Sequence, residues 1–194
     1  MSDHPISRFP VPSLDEMPED IASKLKGVQE KVGFIPNIFL TFAYRPAEFR
    51  AFVAYHDALM EKEEGLTKAE REMIVVATSS RNQCHYCVIA HGAILRIRAR
   101  DPLVADQIAI NHKRANISPR QSAMLDYALK VSQESETVSE SDFDALKEHG
   151  FTQDDIWDIG AISAFFAMGN RIANVTAARP NDEFYSMGRE VRKK

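Results

Sequence analysis

The sequence predicts an all-α fold of roughly eight helices preceded by an extended N-terminal arm. Three observations lead there: apolar residues recur at helical spacing through most of the chain, helix start and stop signals punctuate those runs, and no stretch alternates with period two for long. Residues 1–17 carry Pro5, Pro10 and Pro12 without sustained periodicity, so they read as an arm lying across the domain or a neighbouring subunit. From Pro18 to Val32 the apolar positions Ile21, Leu25, Val28 and Val32 mark a first helix, and Gly33 follows where a left-handed cap stops it. Asn37 is placed to start a short helix after Pro36, and Pro46 opens a longer one expected to reach about Glu63.

Thr67 and Glu70 form a capping box ahead of the apolar run Met73 to Ala77, giving a helix expected to end near Ser80. After the polar break Arg81 to Gln83, a helix begins at Cys84 and runs to about Arg98, where Arg96, Arg98 and Arg100 complement its carboxyl end. Asp101-Pro102 ends it and opens a short helix. Ser118-Pro119 leads an amphipathic helix to about Gln133, Ser139 starts the next, which ends by Gly150, and Thr152 with Asp155 starts the last long one before Pro180. The tail beyond Asn181 is charged and weakly specified. With 194 residues the chain is expected to be one domain over 18–180, with the arm before it and the tail, 181–194, after it.

Composition narrows the function. The chain has 28 acidic and 24 basic residues, a formal net charge of −4, with the basic residues scattered, so a nucleic-acid partner is not expected. No apolar run approaches the ~20 residues of a membrane span, and the amino terminus lacks the basic-then-apolar order of a secretory leader. A soluble, cytoplasmic protein with no membrane partner is the expectation. The only two cysteines, Cys84 and Cys87, are useless as a disulfide framework for a chain this size but suit a redox or metal role in a reducing compartment.

On a helix each residue turns the side-chain direction by about 100°, which places Cys84, Cys87 and His91 within an arc of about 60° on one face, while His85 and Tyr86 point elsewhere. Two cysteines at this spacing can close a disulfide with little backbone movement, and a thiol in a first helical turn feels the positive end of the helix dipole. His91, one turn beyond Cys87, is placed to exchange a proton with it. A thiolate, a second thiol and a base are the parts of a peroxidase, in which one sulfur becomes a sulfenic acid and the other condenses with it. Geometry leaves the order of the thiols open: the helix start favours a thiolate at Cys84, and the neighbouring base favours Cys87.

Other uses of these residues are available. Buried cysteines pack as small apolar residues, and Cys84, Cys87 and His91 with Glu72 or His85 are zinc-ligand types, although structural zinc sites usually draw ligand pairs from separate segments. Phe39, Phe42, Phe165 and Phe166 could line an apolar pocket for an organic hydroperoxide, yet aromatic residues at helical spacing are more often core. Asn170 and Asn174, one turn apart, are placed either to hydrogen-bond near the thiols or to bond helix to helix. His4, His56, His112 and His149 have no ligand-like spacing.

The stretch from Glu72 to Gly92, EMIVVATSSRNQCHYCVIAHG, resembles the core motif of the AhpD-like alkylhydroperoxidase and carboxymuconolactone decarboxylase superfamily: a glutamate, then Cys-x-x-Cys, then a histidine four residues later. The segment GFIPNIFLTFAYRPAEFRAF, Gly33 to Phe52, is similar to the peroxidase-related branch, so the resemblance spans about residues 9–185. It implies an all-helical AhpD-like bundle, homo-oligomers such as dimers or hexamers, Cys87 as the peroxide-reacting thiol, Cys84 as the resolving thiol, and His91 with Glu72 as a proton relay. It further implies an organic hydroperoxide or hydrogen peroxide as substrate, a dithiol as reductant, and no metal or organic cofactor. Tyr86 departs from the best-known alkylhydroperoxidases, which resemblance would give a second histidine there, so the identity of the reductant stays open. The rival activities are a lyase of the carboxymuconolactone decarboxylase type, which needs no redox thiol pair, and a disulfide exchanger or redox sensor.

Overall fold

The computed structural model describes residues 5–190, and among them it is all helical, with ten α-helices joined by short turns. They are α1 (Glu19–Val32), α2 (Asn37–Phe42), α3 (Pro46–Met60), α4 (Lys68–Arg81), α5 (His85–Ala99), α6 (Val104–Asn111), α7 (Pro119–Glu134), α8 (Glu140–Glu148), α9 (Gln153–Thr176) and α10 (Glu183–Ser186). The ends of the arm and of the tail, residues 1–4 (with His4) and 191–194, lie outside the described residues. Among the described residues no helix is long and apolar enough to cross a membrane.

Helix α4 sits at the centre, packed on α5, α6, α7 and α9. Its capping box forms as the sequence predicts, with Thr67 Oγ accepting from the Glu70 amide and the Glu70 carboxylate accepting from the Thr67 amide. Every residue from Glu70 to Ser79 is buried. A helix apolar on all sides over Met73–Ala77 has no face for solvent and must be enclosed by others. The main core is built around it from Leu95, Val104, Ile108, Met124, Leu125, Ile156, Ile159 and Ile162, among others. A second cluster clads α5: Phe34, Tyr86, Ala90, Ala93, Ala173, Ala178 and Phe184 enclose Cys84 and Cys87.

Two expectations shift. Helix α3 ends at Met60, three residues before the expected Glu63. Lys62, Glu63 and Glu64 offer no apolar side chain to bury, and the fully buried Arg71 takes over the carbonyls released there, donating from Nη1 to Leu59 O (2.9 Å) and from Nη2 to Glu64 O (2.8 Å). The nine helices that sequence signals place gain a tenth because the tail contributes α10, a helix of four residues that no periodicity could reveal. Phe184 of α10 is buried, and Arg96 of α5 donates to the carbonyls of Phe184 and Met187, both at 2.9 Å. The arm runs across the end of α9, where the Arg8 amide donates to Thr176 O and Ile6 O accepts from the Arg179 amide.

Candidate active site

The turn between α4 and α5 delivers the thiols. Gln83 takes the left-handed conformation (φ 53°), and the Cys84 amide donates to Ser79 O at 2.9 Å, so the chain reverses in two residues and sets Cys84 as the N-cap of α5. That conformation costs a non-glycine residue free energy, which the surrounding packing must offset. Cys84 is fully buried, Cys87 is 6 % exposed, and both are free thiols. One turn further, His91 projects on the same side and its Nδ1 lies 2.8 Å from Glu72 Oε2, across the α4–α5 interface. With the carboxylate accepting, Nδ1 carries the hydrogen and Nε2 is left to exchange a proton. The ring of Phe166 meets the His91 ring edge-on at 4.8 Å.

Structure thus brings together Glu72, Cys84, Cys87 and His91. The sulfurs share their ionisation. Hydrogen bonding from the Cys87 thiol, against the cost of burial and with help from the Cys87 amide, Asn170 and the His91 charge, lowers Cys84 to about 7. The same bond to Cys84, and then burial, push Cys87 well above the usual thiol range. Near neutral pH the pair therefore holds one proton between two sulfurs. Because the depressed value means that the folded chain retains a thiolate down to about pH 7, thiolate absorbance of the reduced protein should fall as pH drops through about 7. In denaturant the midpoint should move up to the ordinary thiol value of about 8.5.

Other candidates take other places. Tyr86 is buried, its hydroxyl accepts from the Ile38 amide at 3.3 Å, and burial raises its ionisation far above the usual phenol value, so it anchors α2 to α5. His85 is exposed and its Nε2 pairs with the Tyr185 hydroxyl at 2.9 Å. Phe165 and Phe166 belong to the main core, while Phe39 and Phe42 pack beside the α1–α3 cluster; of the four only Phe166 is in ring contact with His91. Asn174 donates to Asn82 O at 3.4 Å, bonding helix to turn. Among the described residues no three His, Cys, Asp or Glu side chains are gathered as metal ligands would be.

Sequence reasoning missed Ser79 and Asn82. Asn170 is fully buried, donates from Nδ2 to Ser79 Oγ (2.9 Å) and accepts at Oδ1 from Asn82 Nδ2 (2.9 Å). The one available signal was at Ser79, a polar residue closing an apolar run, and it named no partner; Asn82, within the polar break Arg81 to Gln83, gave none.

Comparison with known proteins follows the same lines. The model of the carboxymuconolactone decarboxylase family matches residues 46–102, from the start of α3 to just past α5. The chain is similar to an uncharacterized peroxidase-related protein from Ralstonia eutropha JMP134, described as an alkylhydroperoxidase AhpD core, with 65% identity over 96% of this chain and 98% of that one and a TM-score of 0.95. It is 37% identical to a peroxidase-related protein from Silicibacter sp. TM1040, covering 97% of this chain and all (100%) of that one, with a TM-score of 0.91. The debrominase Bmp8 shares the fold, with a TM-score of 0.72 over 92% of this chain and 93% of that one at 19% identity. No curated protein matches the chain significantly.

Proposed function

The chain belongs to the AhpD-like alkylhydroperoxidase and carboxymuconolactone decarboxylase superfamily, in its peroxidase-related branch, and from that membership we propose that it is a thiol-dependent peroxidase cycling through a Cys84–Cys87 disulfide. The observation that carries this reading is the pair of buried free thiols at the start of α5, with His91, one turn beyond Cys87, bonded to Glu72 at 2.8 Å. Cys87 is the attacking sulfur: it is the more exposed of the two and lies one turn from His91. The Cys84 thiolate takes the Cys87 proton. The Cys87 thiolate then attacks the O–O bond of an organic hydroperoxide or hydrogen peroxide, forming a sulfenic acid and releasing an alkoxide or hydroxide that gains a proton through His91. The Cys84 sulfur displaces the sulfenic hydroxyl, which leaves as water with one proton, and the disulfide forms. An external dithiol reduces it, giving back both thiols and becoming a disulfide itself. The cycle uses no bound metal or organic cofactor.

Consumption of cumene hydroperoxide coupled to dithiothreitol tests the reading: the wild type should turn over and the double Cys84→Ser, Cys87→Ser variant should match the uncatalysed rate. Equal rates for the two would end it. In the same assay Glu72→Gln should lower turnover about 100-fold, because an amide does not hold the His91 tautomer and charge as a carboxylate does. An unchanged rate would remove Glu72 from the relay. The reading also has the chain working as a homo-oligomer. Its support is a seam of exposed residues along α9, Trp157, Ala164, Met168 and Val175, repeating on one face at coiled-coil spacing. A monomeric mass by light scattering at micromolar concentration would exclude that assembly.

A further inference from the structure

We propose that the cavity enclosed by the carboxyl-terminal ends of α4, α6 and α7 binds a small organic acid, its carboxylate held by Arg81 and its apolar body laid on the cavity floor. No sulfur lines this cavity, so the site lies outside the thiol chemistry proposed above. Its volume of about 540 Å3 falls within the roughly 300–1,000 Å3 usual for small-ligand sites. Arg81 and Gln83 belong to the turn that sets Cys84 as the N-cap of α5, and an occupant of the cavity would rest against that turn.

The floor is apolar. Ala77 and Ile108 are core residues, Ala109 and Leu129 are half-buried against the core, and the Ser80 hydroxyl joins α4 to α6 there by donating to the Ala109 carbonyl. Ile110 on the wall is 86 % exposed, a large apolar side chain with little cover. The walls carry donors. Lys130 is given over to Asp142, at 2.8 and 2.7 Å, and His112 Nε2 to Asp126, at 2.8 Å. Arg81 is the base left over: it is exposed, and among the described residues its guanidinium makes no ion pair or hydrogen bond. Asn111 accepts from the Lys113 amide through Oδ1 at 3.1 Å, which leaves its Nδ2 as a further free donor on the wall. A planar guanidinium grips a carboxylate with two parallel N–H bonds, and laying the attached hydrocarbon on the floor removes apolar surface from water. The carbonyl ends of three helices disfavour an anion, but that effect is weaker than a charge-assisted pair. Glu134 is the one acid on the wall, and it is exposed.

The test is a saturation-transfer difference NMR titration of the full chain with octanoate, octylamine and inorganic phosphate. It uses no peroxide, so its outcome is independent of whether the chain is a peroxidase. Octanoate should bind saturably, with a Kd in the millimolar range or tighter, and octylamine, of the same length and opposite charge, should bind at least about tenfold more weakly. Phosphate should not displace octanoate, because it has no hydrocarbon to lay on the floor. Arg81→Gln should weaken octanoate binding about tenfold or more. Arg81 is exposed and unpaired among the described residues, so this variant should fold as the wild type does. Ala109→Phe, which fills the floor, should remove the signal. No saturable octanoate signal up to about 10 mM, an affinity unchanged in Arg81→Gln, octylamine bound as tightly as octanoate, or displacement by phosphate would each overturn the proposal.

Discussion

Replacement of Cys87 by Ser is expected to lower peroxide consumption by about 10³-fold or more, because a serine hydroxyl is not ionised near neutral pH and lacks the nucleophilicity of a thiolate towards an O–O bond. The fold should survive, since serine is no larger than cysteine. Replacement of Cys84 should act differently. The Cys87 thiolate loses the sulfur that takes its proton and later resolves it, so one equivalent of peroxide is consumed slowly and the sulfenic acid persists, open to trapping by a dimedone reagent. If the two variants exchanged behaviours, with a trapped sulfenic acid only in Cys87→Ser, the attacking thiol would be Cys84. The disulfide cycle would stand with its order reversed, following the lower ionisation of Cys84.

Replacement of Asp158 by Ala should strongly destabilise the fold. Arg71 is fully buried in α4, and its guanidinium donates to Asp158 Oδ2 at 3.1 Å as well as to Leu59 O at the end of α3 and Glu64 O in the loop after it. Its Nε has no protein partner, so the group already has little hydrogen bonding to spare. Asp158, on α9 and 8 % exposed at its side chain, is the carboxylate that neutralises it, and Lys62 closes the set at 3.1 Å. Truncation leaves a cation inside the core facing Lys62, and breaking a buried pair in this way costs about 3–5 kcal/mol. Urea unfolding should show the free energy of unfolding falling by that amount at unchanged slope, with the midpoint lowered by that loss divided by the slope. Loss of less than about 1 kcal/mol would mean that the carbonyls alone hold Arg71.

Much of the fold is legible because its signals are local. The Thr67 capping box, the Ser118 and Thr152 caps, the Gly33 stop (φ 91°) and Pro46 at the start of α3 lie where the sequence places them, since a cap depends on residues within one turn. The end of α3 and the presence of α10 depend instead on Arg71 and Arg96, whose side chains bond to carbonyls contributed by other elements. Nothing in helical periodicity says where a buried arginine points. In the site, helix geometry accounts for Cys87 and His91 sharing one face of α5, whereas Cys84 is the N-cap with extended backbone (φ −89°, ψ 97°), and the turn before the helix sets its place. Glu72 is a different case: its approach to His91 crosses from one helix to another, and resemblance, not spacing, singled it out. Ser79 and Asn82 were illegible because their role exists only after α9 brings Asn170 against the α4–α5 turn.

The most direct test of the redox pair is stoichiometric. Reduced protein is mixed with one equivalent of cumene hydroperoxide, and intact mass and free thiols are followed in time. Rapid loss of both thiols is expected, with a mass decrease of about 2 Da, the two hydrogens that leave when Cys84 and Cys87 join. Thiols that stay reduced, with no change in mass at modest peroxide excess, would contradict it and turn attention to lyase chemistry at the same fold.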